Sequence, residues 1–327
     1  MKTKLLILSF FMLTTIVSRA QEIAVQAPVN TTRIYTDFNK AINEASAGST
    51  IFLPAGSISL NDSVKITKKL TIVGVGHRPD TEGGNTLVSG NFHFYSGSDA
   101  SSLMGVYLTG DVVIANADGE VNNFLLKFCN VNSVQVGNSK CVGTMINQNY
   151  LRNTSSGGNS QIIITNSILH SFSNVDGGIL EHNLVRNSIC VWSYNCFYYS
   201  LTSINNSLIK NNVFVDSSSG VSSGGSNNIE NNNLKSGNEW GDNCLIATNW
   251  DDIFAKYDLG VNPLCDYHLK SNIGKNAGTD GTDIGIYGGT GFSDTALPPY
   301  PQIVFKNIPA QTDEFGNLKI QVKVKAQ

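Results

Sequence analysis

Charge is scarce in this chain. Only 14% of its 327 residues are Asp, Glu, Lys or Arg, against about 25% in ordinary soluble domains. The 22 basic residues do not outnumber the 25 acidic ones, whereas a nucleic-acid binder shows a basic excess. Proline is also sparse, with 8 residues and no Gly-X-Y period, which excludes collagen. No Ser-His-Asp grouping and no phosphate-binding glycine loop occurs, and His77, His93, His182 and His268 have no metal-ligand spacing. A hydrophobic content of 41% and a mean hydropathy of −0.07 exclude a disordered chain. Asn keeps the surface polar instead: it occurs 38 times, beside 31 Gly and many Ser and Thr.

The only long apolar run lies at residues 5–17, behind Lys2 and Lys4, and Ser18-Arg19-Ala20 follows it. A positive start, a short apolar stretch and small residues before a cut ahead of Gln21 read as a secretory signal peptide over residues 1–20. Its removal takes the net charge from −3 to −6 and leaves a mature chain without a transmembrane segment. The expected location is periplasmic, cell-surface or extracellular. Six Cys in an exported chain suit disulfides. Pairing of sequence neighbours predicts Cys190–Cys196, Cys129–Cys141 and Cys244–Cys265. The alternative for Cys129 is a small hydrophobe stacked inside the fold.

A pattern recurs between residues 126 and 236: an apolar residue, a variable one, a polar one, Asn or similar, then two mainly apolar positions. It reads Leu126-Lys127-Phe128-Cys129, Ile146-Asn147-Gln148-Asn149, Ile164-Thr165-Asn166-Ser167, Leu180-Glu181-His182-Asn183, Ile209-Lys210-Asn211-Asn212 and Ile229-Glu230-Asn231-Asn232. The intervals between fourth positions are 20, 18, 16, 29 and 20 residues. That irregularity excludes a strict hexapeptide left-handed helix and fits coils of short strands joined by variable loops. Such coils share one continuous core, with equivalent residues about 4.8 Å apart along the axis. Asn tolerates the left-handed geometry of a bend, and its amide reaches the next coil. Cys129, Asn149, Ser167, Asn183, Asn212 and Asn232 are predicted to form this polar file.

The flanks agree. Asp37-Phe38-Asn39-Lys40-Ala41-Ile42-Asn43-Glu44-Ala45 has an N-cap residue and helical apolar spacing, with Gly48 as a stop. Ser49-Thr50-Ile51-Phe52-Leu53-Pro54-Ala55-Gly56 and Lys69-Leu70-Thr71-Ile72-Val73-Gly74 read as the first strands. The helix would cover an open sheet end that otherwise invites aggregation. The chain resembles exported bacterial right-handed parallel β-helix proteins of the pectin-lyase-like superfamily. The resemblance rests on this helix followed by Ala47 to Gly56, the Asn-centred repeats, and the stretch from Asp266-Tyr267-His268-Leu269-Lys270 through Asp283-Ile284-Gly285-Ile286-Tyr287-Gly288-Gly289. It implies the fold, and a carbohydrate connection by analogy. The expected architecture is all-β: a single-stranded right-handed parallel β-helix (solenoid) with an N-terminal helical cap and a short C-terminal β appendix. The boundaries are a lead-in over 21–35, the β-helix over 36–296 and the appendix over 297–327. In the appendix, 302–308 reads as one strand and Leu318-Lys319-Ile320-Gln321-Val322-Lys323-Val324-Lys325 alternates as another.

Aligned coils present two outward files. Lys127, Asn147, Thr165, Glu181, Lys210 and Glu230 read as a solvated charge ladder, each cross-strand pair worth about 0.2–1 kcal/mol. The second file holds Asn132, Arg152, His170, Arg186, Val215 and Lys235. Arg152, His170 and Arg186 would stack as a cationic stripe on an acidic protein, where like charges repel. A stripe that costs stability suggests an anionic ligand, because guanidinium geometry suits carboxylate and sulfate. The competing reading is long side chains splayed into solvent. An insertion follows the stripe: Cys190-Val191-Trp192-Ser193-Tyr194-Asn195-Cys196-Phe197-Tyr198-Tyr199. Trp192, Tyr194, Tyr198 and Tyr199 could stack on sugar rings, or the loop could fold back as a satellite core.

Two functions remain. The first is an exported β-helix that binds or presents to a polysaccharide, possibly anionic, without catalysis or cofactor. The alternative is a polysaccharide lyase acting by β-elimination on a uronic-acid polymer. That chemistry needs a base, a cation facing the developing enolate and a proton donor. The resemblance implies Arg or Lys as base, often with Ca²⁺ held by clustered Asp, and Arg152, Arg186 and Lys210 could serve. No tight Asp cluster accompanies them: Asp176, Glu181 and Asp216 are dispersed, which favours the binding reading. Asp251-Asp252 lies in a short helix expected outside the coils. The run from Gly278 to Asp283 lacks the bidentate Glu of an EF-hand and reads as the turn before a closing strand.

Overall fold

A strand of three or four residues cannot bury its own apolar face, so the repeats depend on their neighbours. The computed structural model describes residues 22–325 apart from positions 61–62, 81–82, 116–118, 138–139, 158–159, 182, 187–200, 216–225, 236–240, 248, 257–264, 271, 308–310 and 313. Its strands stack into two long sheets, the arrangement of a β-solenoid. The first sheet runs from Ser49–Phe52 through Leu70–Val73, Ser102–Met104, Leu125–Lys127, Thr144–Asn147, Ile162–Thr165, Ile179–Glu181 and Leu208–Lys210 to Ile229–Asn231, all parallel. The second continues each coil after a bend, from Gly56–Ser59 to Leu245–Ile246.

Inward residues stack rung on rung. In the first sheet Ile51, Ile72, Leu103, Leu126, Ile146, Ile164, Leu180 and Ile209 are paired neighbours with almost no exposure. Val88, Leu108, Val131, Leu151 and Leu169 face them from the second. The N-terminal end is closed as expected by a helix, α1 (Phe38–Glu44), whose N-cap Asp37 accepts from the Lys40 amide at 2.9 Å. Phe38 meets Phe92 edge-on at 5.8 Å, so the cap joins the main core. The lead-in adds an antiparallel pair, Ile23–Gln26 with Thr32–Tyr35, beside Ser49–Phe52.

Two columns of residues make the bend between the sheets. The first is left-handed: Gly105, Phe128, Gln148, Asn166, Asn211 and Asn232 all have φ between 48° and 65°. The second is the polar file. The amide N–H of Cys129 donates to Asn149 Oδ1 at 2.9 Å, and Asn149 N–H to Ser167 Oγ at 3.1 Å. Ser167 donates to Asn183 Oδ1 at 2.9 Å, Asn183 to Asn212 Oδ1 at 2.9 Å, and Asn212 to Asn233 Oδ1 at 3.0 Å. Each Asn amide also donates inward; Asn212 Nδ2 reaches the carbonyls of Leu180 and Lys210, both at 2.8 Å.

The file therefore ends at Asn233, not at the predicted Asn232, and the left-handed residue precedes the ladder residue. Three consecutive Asn hid a one-residue slip in the last coil: Leu208 pairs with Ile229 and Ile209 with Glu230. Glu230 takes an inward position, where burial raises its pKa above the usual carboxylate range. The slip also removes Glu230 from the charge ladder, where Asn231 pairs with Lys210. It carries Lys235 from the outward file to a buried position opposite Phe214. Of the remainder, Lys210 and Glu181 pair as expected, Nζ 2.9 Å from Oε1, but the row is not a solvated one: Asn147 is buried and donates to Thr165 at 2.8 Å.

Beyond Ile246 the chain does something the repeats do not announce. A short helix, α2 (Trp250–Ile253), packs outside the coils as expected. No closing strand follows; among the described residues none lies between Ile246 and Gln302. Residues 277–300 instead form a strap that returns along the left-handed column toward the first coils. Asn232 Nδ2 donates to the Ala277 carbonyl at 2.7 Å. Asn211 exchanges bonds with Thr279 at 2.9 and 3.0 Å. Asn166 Nδ2 donates to the carbonyls of Ile286 and Gly288 at 2.9 and 2.7 Å, and Ser293 N–H donates to Gln148 Oε1 at 2.8 Å. Pro298 then lies so close to Gly105 that any Cβ there would overlap its ring. Tyr300 reaches Phe52, 5.8 Å between rings. The run 278–282 is a hydrogen-bonded turn within this strap, Gly278 N–H donating to the Thr282 carbonyl at 2.8 Å.

Strap and α2 bury a second core against the outer face of the second sheet, where Tyr150, Ile168, Val213 and Leu234 meet Trp250, Phe254, Tyr267, Ile284 and Ile286. The appendix is a two-stranded antiparallel hairpin, Gln302–Asn307 with Gln321–Lys325.

Asn212 is fully buried, so Asn212→Ala strands the Asn183 amide and two carbonyls, each costing about 1–3 kcal/mol. The expected loss in a denaturant titration is at least about 3 kcal/mol, against within about 0.5 kcal/mol for the exposed Asn153→Ala. A second prediction concerns His77, which is 3% exposed with neither ring nitrogen hydrogen-bonded. Burial, then the Arg78 charge, lowers its pKa to about 3. The unfolded chain binds this proton below its ordinary value of 6.5 and the folded chain does not. The contribution is complete above pH 6.5 and is lost as pH falls toward 3, by up to about 1.4 kcal/mol per pH unit. His77→Phe should flatten the stability–pH curve across that window, as read by melts at stepped pH.

Candidate functional site

Past the bend, the coils that begin the second sheet at Tyr150 and Ile168 first turn that residue outward into the second core, then a residue inward, then another outward. Tyr150, Leu151 and Arg152 follow this order: Tyr150 and Leu151 are buried and Arg152 is exposed. The area covered by the C-terminal segment therefore ends between Tyr150 and Arg152. On the next strand Ile168 is buried and His170 half-exposed. The pairs Leu151–Leu169 and Asn153–Ser171 bracket Arg152 and His170, which places the two at one register position. Leu169 pairs with Val185, so Arg186 follows His170 in the same file, and Arg186 itself pairs with Val215.

The structure thus brings the backbones of Arg152, His170 and Arg186 together on three successive strands of one face. The Arg186 side chain lies outside the described residues. Among the described residues no acidic side chain pairs with Arg152. His170 meets Tyr150 across the coil boundary: the Tyr150 hydroxyl is 3.4 Å from Nε2, and the rings meet edge-on at 5.9 Å. One coil earlier Asn132 donates to Asp111 Oδ1 at 3.1 Å, so the file is polar and partnered before it becomes cationic.

Trp192, Tyr194, Tyr198 and Tyr199 lie outside the described residues, but the roots of their insertion do not. The strand before them, Leu184–Arg186, and the strand after them, Leu201–Asn205, both pair with Ile168–Asp176, Leu201 opposite Phe172. Both roots flank the strand that carries His170.

Sequence reasoning missed one cluster. His268 Nδ1 is 2.7 Å from Asp266 Oδ1, and its ring stacks on Tyr287 at 3.6 Å. The His268 backbone amide, then its ring, hold the Asp266 carboxyl below the usual range. Tyr287 donates to Asp294 Oδ1 at 2.5 Å, and Arg78, paired with Asp80 at 2.9 Å, donates to the Asp294 carbonyl at 2.5 Å. The readable signal was Asp-X-His, which puts both side chains on one side of an extended segment. Its contacts tie the strap to itself and to an early coil. Among the described residues no group of three or more His, Cys, Asp or Glu could hold a metal ion. Comparison with protein-family models, curated proteins and solved structures finds no match for this chain.

The cysteines depart from the expected pairing. Cys129, Cys141, Cys244 and Cys265 are not disulfide-bonded, so neither Cys129–Cys141 nor Cys244–Cys265 forms; Cys190 and Cys196 lie outside the described residues. Cys129 takes a ladder place, its Sγ donating to the carbonyls of Lys127 at 3.3 Å and Leu103 at 3.6 Å. That is the bonding an Asn makes in later coils, achieved by a smaller side chain inside the core. Burial pushes its thiol pKa up to about 12. Alkylation of the native protein at pH 8, read by peptide mass spectrometry, should label the half-buried Cys244 and spare Cys129 until the chain is unfolded. A Cys129–Cys141 disulfide in the same map would contradict this placement.

Proposed function

We propose that this chain is an exported right-handed parallel β-helix protein, similar to the pectin-lyase-like proteins, that binds an anionic polysaccharide on the outer face of its second sheet. The observation that carries the reading is the shared register of Arg152, His170 and Arg186 on three successive strands. Cations at about 4.8 Å spacing repel one another. A polymer bearing a carboxylate or sulfate on its repeating units relieves that repulsion and matches guanidinium geometry. The aromatic insertion rooted beside His170 supplies sugar-stacking side chains of the right chemistry. The basic start, apolar run and small residues at 1–20 support export to the periplasm, the cell surface or the medium.

One contact favours the second reading, β-elimination on a uronic-acid polymer. Tyr150 and His170, 3.4 Å apart, put a proton acceptor and a hydroxyl beside a carboxylate-binding guanidinium. In that reading His170 removes the proton α to the carboxylate, Arg152 faces the developing enolate, and Tyr150 protonates the leaving oxygen.

Calorimetric titration with polyuronates and sulfated glycans tests the binding. Added salt should weaken the affinity without abolishing it, because screening removes only the exposed electrostatic share. Arg186→Ala should reduce the salt dependence, and Trp192→Ala should lower affinity at every salt concentration. Indifference of binding to both substitutions sinks the assignment. Growth of ultraviolet absorbance from an unsaturated uronate product, lost in His170→Ala, would replace it with the lyase reading.

A further inference from the structure

The outer face of the second sheet carries a second cationic place, on rungs that precede the Asn-centred repeats. Val64–Ile66 and Phe92–Phe94 pair in parallel with each other, and Phe92–Phe94 pairs with the end of Tyr107–Ile114. Val64, Ile66, Phe92 and Phe94 are buried, so the residues between them, Lys65 and His93, face outward at one register position. The Tyr95 hydroxyl is 3.5 Å from His93 Nδ1. Among the described residues no acidic side chain pairs with Lys65. Partial burial, then the Lys65 charge, lowers the His93 pKa, and the Asp111 carboxylate works against them. Lys65 and Asp111 therefore both lie within electrostatic reach of one ring.

Register fixes where this place lies relative to the stripe. His93 aligns through Val113 and Gln135 with Ser155, three residues past Arg152. Arg152 is thus three rungs from His93 and four from Lys65, roughly 17 to 22 Å away for rungs of about 4.8 Å and residues of about 3.3 Å. The oblique path between them crosses a carboxylate. Asp111 aligns through Ser133 with Asn153, beside Arg152. Its two oxygens accept from Asn132 Nδ2 at 3.1 Å and Gln135 Nε2 at 3.4 Å, and its backbone N–H donates to Asn91 Oδ1 at 2.8 Å. The face is cationic at both ends of the path and amide-rich around one negative charge between them.

We infer that this face takes a heteroglycan whose acidic units are separated by neutral ones, with Lys65 and His93 as its second anion subsite and Asp111 as the residue that rejects a uniformly charged polymer. The inference rests on the anionic-glycan reading of the stripe and names the glycan. A pyranose advances an extended chain by about one rung, so the two cationic places are about four units apart. A polyuronate spanning both sets a carboxylate over Asp111, where like charges repel. A neutral unit there instead donates its hydroxyls to Asp111, a charge-assisted bond. At the far end Lys65 meets an acidic group as a point charge.

Calorimetric titration of the mature full chain with three probes tests this: an octauronate, an octasaccharide of a linear glycan bearing one uronate in four units (a deacylated gellan fragment), and the tetrasaccharide repeat of that glycan. The wild type should prefer the interrupted octasaccharide to the octauronate about fivefold, the size of one like-charge contact. Asp111→Asn should abolish the preference by tightening the octauronate, a gain of affinity that a misfolded variant would not show. Lys65→Gln should weaken the interrupted octasaccharide about fivefold and leave the tetrasaccharide, held by the stripe alone, unchanged. A wild type that binds the octauronate as well or better, a preference that survives Asp111→Asn, or a Lys65→Gln loss equal for both lengths overturns the inference. Binding that is lost in Arg186→Ala but indifferent to Lys65→Gln and Asp111→Asn overturns it alone and leaves the stripe standing. Absence of binding to all three probes overturns the stripe and this inference together.

Discussion

A backbone amide that turns a corner inside a protein has no strand partner, and in this molecule it donates into the side chain of the next coil. Cys129, Asn149, Ser167, Asn183 and Asn212 each do so, with acceptors at 2.9 to 3.1 Å. Buried amides and carbonyls left without partners would cost more than the short strands gain. The ladder therefore sets the register of the coils from Cys129 to Asn233, and the apolar stacking follows it. The last coil shows the order of authority. Keeping Asn233 in the ladder turns Ile229 out to solvent and brings Glu230 and Lys235 inward. Three apolar or charged residues sit in poor places so that one amide chain stays unbroken.

The left-handed column beside the ladder has a second task. Asn and Gln are tolerated there for their backbone geometry, but their side chains are what the strap binds. Asn232, Asn211, Asn166 and Gln148 each exchange a hydrogen bond with the returning chain. Asn abundance thus answers two demands at adjacent positions, one facing the axis and one facing the strap. The strap joins late coils to early ones, so a solenoid whose contacts would otherwise be only between neighbours acquires a link along its whole length. Its burial of Tyr150 and Ile168 also sets where the outer face of the second sheet becomes free, and so where Arg152 and His170 meet solvent.

Much of this was legible in the residues. The cap helix, the first strands, the coil order up to Lys210, and the placement of Arg152, His170 and Arg186 in one file all follow from counting positions after an apolar residue. The slip at Asn231-Asn232-Asn233 was not legible, because three identical side chains offer three equal registers. The thiol state of Cys129 was open between two readings, and the deciding fact, carbonyls from two coils converging on its sulfur, exists only once the coils stack.

The sequence by itself determined the local rules: short strands from alternating residues, bends from Asn, a capped helix from Asp37, and a repeat that must share its core. These depend on neighbours along the chain, within reach of a pattern. Only the tertiary structure decided where residues 277–300 go, which faces they cover, and that His268, Tyr287, Asp294 and Arg78 come together. Those contacts join positions up to 216 residues apart, and nothing in their spacing encodes them. They arise because an exposed apolar row and a column of unspent amides had to be satisfied by whatever segment could reach both.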